Sequence, residues 1–218
     1  MSTEGLVLLG AGGHARVLAD ALRLLGHGER AVLLDASAAL HGTRLLGILV
    51  AGGDDLLCRM RSEGFTQFLV AVGGIRAFGV RRRLFEAALQ AGLEPGLLRH
   101  PSSVVAESVK LGAGSQVLAG AIVNACAEIG ENVILNSGSI VEHDCVLGAD
   151  VHIAPRACLA GGVRVGRQVH IGAGATICEN LRIGDRAIVG AGAVVIRDVP
   201  PEAVVAGVPA KAIRRSGS

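Results

Sequence analysis

The second half of the chain places an aliphatic residue at every sixth position, without interruption, from Val105 to Val195. This period matches neither an α-helix, which repeats about every 3.6 residues, nor a β-strand, which repeats about every two. It is typical of a parallel β-helix built from hexapeptide repeats. Three hexads complete one triangular coil, so we expect residues three hexads apart to stack on one another.

Two other positions of the hexad are also regular. A small residue recurs four positions after the aliphatic one, where it can enter a narrow interior: Ser115, Ala121, Ala127, Ser139, Cys145, Ala157, Ala175, Ala187 and Ala193. Glycine often follows the aliphatic residue, at a point where we expect a tight turn: Gly112, Gly130, Gly148, Gly166, Gly172, Gly184 and Gly190. The segment 197–201 is expected to end the repeat, because proline cannot donate to the strand ladder.

The first hundred residues alternate between strand and helix patterns. Apolar strands are predicted at 6–9, 31–34, 46–50 and 68–72, and helices from the glycine loop to about 25, near 54–63 and near 75–91. This order predicts an α/β domain with a parallel sheet. We therefore expect an α/β domain over residues 1–100, a β-helix over 101–200, and a C-terminal cap and tail over 201–218.

A glycine loop follows the first predicted strand. Gly10-x-Gly12-x-x-Ala15, with Asp35 closing the second strand, resembles a dinucleotide fingerprint. Free amides at a helix N-terminus favour a phosphate. A complete dinucleotide fold needs two such halves, so this half-Rossmann domain is predicted to bind one nucleotide or nucleotide sugar. A glycine turn without any ligand is the alternative interpretation.

Three histidines fall within the repeat. His143 lies between Glu142 and Asp144, whose carboxylates would raise its pKa and suit it to act as a general base. His152 and His170 are three hexads apart and are expected on one corner of neighbouring coils. The alternative for each is an ordinary histidine in a solvated turn.

Two other chemistries are weaker alternatives. Zinc could use three histidines, but the chain has no H-x₄-H pair and no metal is expected. Cys145, two residues after His143, is an alternative nucleophile, although it occupies the inward hexad position. The five cysteines include no CxxC motif and are expected to be reduced thiols.

Composition excludes several partners. The chain has no Trp, no Tyr and four Phe, and its formal net charge is +2, so nucleic-acid binding by base stacking is not expected. No apolar run is long enough to insert into a membrane. No signal peptide is visible at Met1–Gly5, which predicts a cytoplasmic protein.

The whole sequence resembles the NeuD-like sugar O- and N-acyltransferases, which include bacterial enzymes that N-acetylate nucleotide-linked amino sugars. The motifs that carry the resemblance are Gly10-Ala11-Gly12-Gly13-His14, Val70-Ala71-Val72-Gly73, Asn136-Ser137-Gly138, Val141-Glu142-His143-Asp144-Cys145, Val151-His152-Ile153, Leu159-Ala160-Gly161-Gly162-Val163 and Ala206-Gly207-Val208-Pro209-Ala210-Lys211. The resemblance implies a left-handed β-helix and a homotrimer, with acetyl-CoA lying between neighbouring prisms.

The resemblance also implies roles for individual residues. His143 matches the catalytic base, and a neighbouring acid, either Glu142 or, as we favour, Asp144, increases its basicity. For the cofactor, the resemblance places the thioester end and the pantetheine arm against His152, Ala173 and Ala191. For the sugar nucleotide it implies Gly12, Gly13, His14, Asp35, Gly73 and Asn136. Gly74 and Ala36 depart from the family pattern, which leaves the identity of the nucleotide open.

The expected function is acetyl-CoA-dependent N-acetylation of a nucleotide-linked amino sugar in bacterial surface glycan biosynthesis. Transfer would be direct, with His143 as the base and no acyl-enzyme. O-acetylation of a sugar or sialic acid is the alternative. Two further alternatives are an NAD(P)-dependent sugar enzyme and a non-catalytic trimer that binds sugar nucleotides.

Overall fold

The computed structural model describes residues 5–75 and 78–213. The chain divides between Leu97 and Leu98 into two compact units. Within the described residues, no helix has both the length and the apolar character needed to cross a membrane. The chain start at 1–4, the last five residues of the predicted tail (214–218), and positions 76–77 of the predicted third helix lie outside the described residues.

The N-terminal unit is a six-stranded sheet flanked by helices. Its strands are β1 (Gly5–Leu9), β2 (Ala31–Leu34), β3 (Arg44–Leu45), β4 (Ile48–Gly52), β5 (Phe65–Val70) and β6 (Glu94–Pro95). Its helices are α1 (Gly13–Leu24), α2 (Leu57–Ser62) and α3 (Phe78–Gln90), with 3₁₀ turns at Gly28–Arg30, Ala38–Leu40 and Asp54–Leu56. The sheet order is β3-β4-β2-β1-β5-β6. All neighbours are parallel except the β3–β4 hairpin, which confirms the predicted α/β architecture.

The second unit is a parallel β-helix with three faces, each a stack of short strands. Face 1 contains β7 (Leu98–Arg99), β10 (Gln116–Val117), β13 (Ile134–Leu135), β16 (His152–Ile153), β19 (His170–Ile171), β22 (Ile188–Val189), β24 (Val204–Ala206) and β25 (Lys211–Ala212). Face 2 contains β8 (Val104–Val105), β11 (Ile122–Val123), β14 (Ile140–Val141), β17 (Cys158–Leu159), β20 (Thr176–Ile177) and β23 (Val194–Val195). Face 3 contains β9 (Lys110–Leu111), β12 (Glu128–Ile129), β15 (Val146–Leu147), β18 (Arg164–Val165) and β21 (Arg182–Ile183).

The interior of the β-helix is made by the two regular hexad positions. The aliphatic residues from Val117 to Val195 are buried, and Val105 and Leu111 are partly buried. The small residues that follow four positions later, such as Ser115 and Cys145, are also fully buried. Small side chains opposite large ones fill a narrow triangular interior without overpacking. The prediction of a hexapeptide-repeat core is confirmed.

The reason for the glycine after the aliphatic residue differs from our prediction. A Cβ at Gly112, Gly130 or Gly148 would lie 2.4, 2.7 or 2.8 Å from the backbone of the next coil. The left-handed turn residue comes two positions later, as at Asn132 (φ 54°) and Asp150 (φ 60°). These glycines are therefore required by the close approach of stacked coils and not by the turn itself.

The hexad repeat ends at the predicted segment 197–201, because the next pairs in register, Ile188 with Val204 and Ile183 with Val199, are 16 residues apart and not 18. The strand ladder of face 1 nevertheless continues beyond this segment. Pro200 and Pro201 fall in a turn, where no ladder N–H is needed. Beyond them β24 pairs in parallel with β22, and β25 pairs antiparallel with β24. The C-terminal segment thus extends face 1.

Candidate active site

His143 and Asp144 lie in the turn between β14 and β15, on the edge that joins faces 2 and 3 (edge 2–3). His143 Nδ1 is 2.7 Å from Asp144 Oδ2. Asp144 is the left-handed residue of the turn, with φ 59°, a conformation that Asp tolerates better than most residues. The Glu142 carboxylate instead accepts the His143 backbone N–H at 3.3 Å. The geometry therefore pairs the imidazole with Asp144.

This pairing sets the proton chemistry of His143. The hydrogen bond to Asp144, with the charges of Asp144 and Glu142, raises the pKa of His143 above its usual value. With the Nδ1 proton donated to Asp144, Nε2 carries the lone pair of the neutral ring. The His143 side chain is exposed to solvent, and its raised pKa makes Nε2 more basic than in an isolated histidine.

Gly161 provides the space for this imidazole, and our sequence reasoning did not assign it that role. A Cβ at Gly161 would lie 2.7 Å from both Cε1 and Nε2 of His143. Gly161 is the only glycine at its hexad position between residues 113 and 191, and it lies three hexads after His143. Its φ is not in the left-handed region, so its backbone does not need glycine. The break in the repeat was the sequence signal for this contact.

Cys145 follows the His143–Asp144 pair along the chain but faces the interior. It is fully buried, and its Sγ donates to the Ala160 carbonyl at 3.2 Å. Burial raises the pKa of the Cys145 thiol to about 11. A buried, protonated thiol is a poor nucleophile near neutral pH.

A second group of predicted residues lies on face 1 and on the edge that joins faces 1 and 2 (edge 1–2). Asn136 Nδ2 is 3.1 Å from His152 Nε2, and Asn136 Oδ1 accepts the Ser137 N–H at 2.8 Å. Ala173 and Ala191 occupy turns of this same edge in later coils. Asn136, which the resemblance implies for the sugar nucleotide, therefore lies with the predicted cofactor residues instead.

The two groups lie on different sides of the column. In a three-sided coil, edge 2–3 is opposite face 1. His143 and Asp144 thus face away from His152 within one chain, and the structure does not bring the predicted base and cofactor residues together.

His152 and His170 are in register on neighbouring strands of face 1, and not on a corner as we predicted. Both precede an inward aliphatic residue and lie within two-residue strands. His170 is only 4% exposed, and burial lowers its pKa from 6.5 to about 4. The ring is therefore neutral near pH 7.

This buried imidazole should make stability depend on pH. Because the pKa of His170 is lower in the folded protein, its contribution is complete above pH 6.5 and is lost as pH falls toward about 4. The linkage corresponds to about 3 kcal/mol of unfolding free energy. Urea unfolding of wild type and His170→Phe across this range should show a smaller loss in the variant. Parallel curves would contradict the assignment.

In the N-terminal unit, Gly12 and Gly13 begin α1. A Cβ at either position would meet nothing within 4 Å, and no acidic residue lies in the first turn of α1. Gly10 has φ +112° and lies against Val72. Ala15, at the third position of the fingerprint, is fully buried. The start of α1 is thus open to an anion.

Other predicted residues of this unit support the loop. Asp35 accepts the Ala11 N–H at 2.7 Å and the Ser37 N–H at 2.8 Å, so its carboxylate holds loop backbone. The His14 ring lies 3.3 Å from where a Gly73 Cβ would be.

Arg81 was missed by the sequence reasoning. It is 1% exposed, and its Nη1 donates to the Val72 carbonyl at 2.8 Å, beside the Gly73 turn. An arginine within a helical pattern gives no signal that distinguishes it from a surface residue.

Among residues 5–75 and 78–213, no three His, Cys, Asp or Glu side chains converge as metal ligands.

Comparisons with known proteins cover both units. The family model "PglD N-terminal domain" matches residues 5–88, and "Bacterial transferase hexapeptide (six repeats)" matches 126–161 and 162–197. No curated protein sequence matches. Among solved structures, a histidine-to-alanine variant of GDP-perosamine N-acetyltransferase from Caulobacter crescentus, in complex with CoA and GDP-perosamine, is 40% identical over 98% of each chain, with a TM-score of 0.91.

Two further solved structures agree. The acetyltransferase domain of PglB from Neisseria gonorrhoeae, in complex with acetyl coenzyme A, is 38% identical over 96% of this chain and 99% of that one, with a TM-score of 0.89. WeeI from Acinetobacter baumannii is 27% identical over 97% of this chain and all of that one, with a TM-score of 0.87. The chain therefore belongs to the NeuD-like family of sugar acetyltransferases, with a PglD-type N-terminal domain and a left-handed hexapeptide-repeat β-helix.

Proposed function

We propose that this protein is an acetyl-CoA-dependent N-acetyltransferase that acts on a nucleotide-linked amino sugar. The observation that carries the proposal is the His143–Asp144 pair, held at 2.7 Å on an exposed edge of the β-helix. The chain is also 40% identical to a GDP-perosamine N-acetyltransferase, which supports nitrogen as the acceptor atom.

In the proposed reaction His143 Nε2 removes a proton from the sugar amine as the nitrogen attacks the thioester carbonyl. The new C–N bond forms an amide, the C–S bond breaks, and the thiolate of CoA takes up a proton on release. Backbone N–H groups of the stacked turns are suited to stabilise the tetrahedral oxyanion. Asp144 fixes the tautomer of the base and stabilises its protonated form.

The distance between the predicted base and the predicted cofactor residues within one chain indicates how copies of the chain assemble. With the acyl carrier bound along edge 1–2, near His152, Ala173 and Ala191, it lies away from His143 of the same chain. A neighbouring copy can place its edge 2–3 against this edge. We therefore infer a homotrimer with three equivalent sites. In each site, His143 of one copy acts as the base, and edge 1–2 of the neighbouring copy binds acetyl-CoA.

The nucleotide part of the acceptor is assigned to the N-terminal unit. The open start of α1 at Gly12 and Gly13 suits a phosphate, and His14 with Gly73 borders it. Asp35 contributes indirectly, because its carboxylate accepts the Ala11 N–H and so holds the glycine loop in place. We place the enzyme in the cytoplasm, where acetyl-CoA and nucleotide sugars are available.

A thiol-trapping assay tests the proposal. Acetyl-CoA is offered with UDP-, GDP- and CMP-linked amino sugars, and with the matching sugars that carry a hydroxyl in place of the amine. CoA release that requires an amino sugar, with a hydroxylamine-resistant product, supports N-acetylation. A hydroxylamine-labile ester would indicate O-acetylation, and a change in nicotinamide absorbance would indicate redox chemistry. Binding of the sugar nucleotide without CoA release would indicate a non-catalytic protein.

Asp144→Asn should shift the pH profile of kcat. Because Asp144 raises the pKa of His143, its loss lowers that pKa and moves the acid limb to lower pH. The plateau should also fall on the order of 10-fold, since the ring loses its orienting carboxylate. Glu142→Gln is the matched control, because Glu142 acts on the imidazole only through space, and it should shift the limb less. A limb that does not move, or moves to higher pH, contradicts the pairing.

Cys145→Ala should leave kcat within about threefold of wild type, because its thiol is buried and protonated. Initial rates at saturating substrate test this expectation, with thermal unfolding to confirm the fold. Loss of turnover in a folded variant, together with acetylated wild-type protein by mass spectrometry, would establish an acyl-enzyme route.

A further inference from the structure

His152 and His170 form an edge-to-face pair on face 1. Their ring centroids are 4.9 Å apart and their planes meet at 77°. The two residues are only 6% and 4% exposed. Such a contact restrains the rotation of each ring.

The hydrogen bonds of Asn136 assign the state of His152. Asn136 Oδ1 accepts from Ser137, which orients the amide so that Nδ2 faces His152 Nε2. An amide nitrogen can only donate, so His152 Nε2 accepts, and the proton of the neutral ring is on Nδ1. One N–H of Asn136 remains for a ligand.

The position of His170 is not explained by folding alone. In the same register of face 1, Ile134 precedes His152 by one coil and Ile188 follows His170 by one coil, so this register accepts an aliphatic side chain. His170 instead buries an Nδ1 that has no hydrogen-bond partner among residues 5–75 and 78–213. A buried polar atom without a partner is unfavourable. Packing alone therefore does not account for a histidine at this position.

We propose that His170 is a positioning residue for the acyl carrier. It holds the ring of His152, which holds the amide of Asn136, so that the remaining N–H of Asn136 faces a carbonyl oxygen of the acetyl-CoA arm on edge 1–2. The inference rests on the proposed function, because that function supplies acetyl-CoA as the ligand of this edge.

Calorimetric binding of CoA and steady-state kinetics test the proposal on the intact protein. His170→Ala should weaken CoA binding and raise the KM for acetyl-CoA by about 5- to 10-fold, the loss expected for one hydrogen bond. The kcat at saturating acetyl-CoA should stay within about twofold, since the base is untouched. His170→Phe keeps a ring edge against His152 and should restore most of the affinity.

Ile188→Ala is the matched control, because Ile188 is the next residue in register on face 1. It should lower stability and leave CoA affinity unchanged. If His170→Ala does not fold, His170→Leu takes its place, because leucine fills the volume without a ring. A folded variant with wild-type CoA affinity would overturn the proposal, as would an equal loss in Ile188→Ala.

A ligand-free measurement separates this inference from the proposed function. Nitrogen-15 spectra should show a shift of His152 Nε2 and of the Asn136 side-chain amide in His170→Ala, and little change in Ile188→Ala. Unmoved resonances would overturn the inference even where the enzyme is active. If wild type binds no CoA, the proposed function fails together with the carrier role, whatever the spectra show.

Discussion

His143→Ala is expected to lower kcat by about 10²- to 10⁴-fold, the usual cost of removing a general base. CoA affinity should change little, because the predicted carrier residues lie on edge 1–2 and His143 lies on edge 2–3. Thiol-trapping assays measure kcat, and isothermal titration calorimetry measures the affinity for CoA.

His27→Ala serves as the control, because His27 is an exposed histidine in the N-terminal unit. It should behave as wild type in both measurements. A loss below about threefold in His143→Ala would remove this residue from the role of base. A parallel loss of CoA affinity would instead assign it to binding.

Gly161→Ala is expected to lower kcat on the order of 10²-fold without unfolding the β-helix. The new methyl group would occupy the space 2.7 Å from the His143 ring and force it away from its present position. A displacement of about 1 Å at a reacting group can cost a factor of this size. The displaced imidazole is exposed, so the melting temperature should change by only a few degrees.

Gly79→Ala is the matched control for an added methyl group. Its Cβ would meet nothing within 4 Å, so activity should not change. Gly161→Ala with wild-type kcat would show that the imidazole does not need its present position. A collapse of stability would show that Gly161 serves coil stacking, as Gly148 does.

The hexad period could predict which residues stack, because a repeat without insertions fixes the length of each coil. It therefore placed His152 and His170 on neighbouring coils and Cys145 in the interior. The period does not show which way a polar side chain points within its hexad. For this reason the histidine pair was assigned to a corner, although both residues belong to strands.

Contacts between coils were harder to predict than stacking. Glycines such as Gly112, Gly130 and Gly148 are required because the next coil approaches closely, and Gly161 because the His143 ring does. A sequence pattern shows only that a side chain is missing at these positions. In the N-terminal unit the fingerprint located the loop, but the use of the Asp35 carboxylate by backbone N–H groups could be read only from the structure.

The proposed mechanism requires His143 to meet the acceptor amine beside an acetyl-CoA molecule that is bound to another copy of the chain. A structure of the assembled protein with CoA and the amino sugar nucleotide measures this directly. We predict His143 Nε2 within about 3 Å of the amine, with the CoA arm along edge 1–2 of the neighbouring copy. An amine far from every imidazole, or CoA bound away from both edges, would contradict the account.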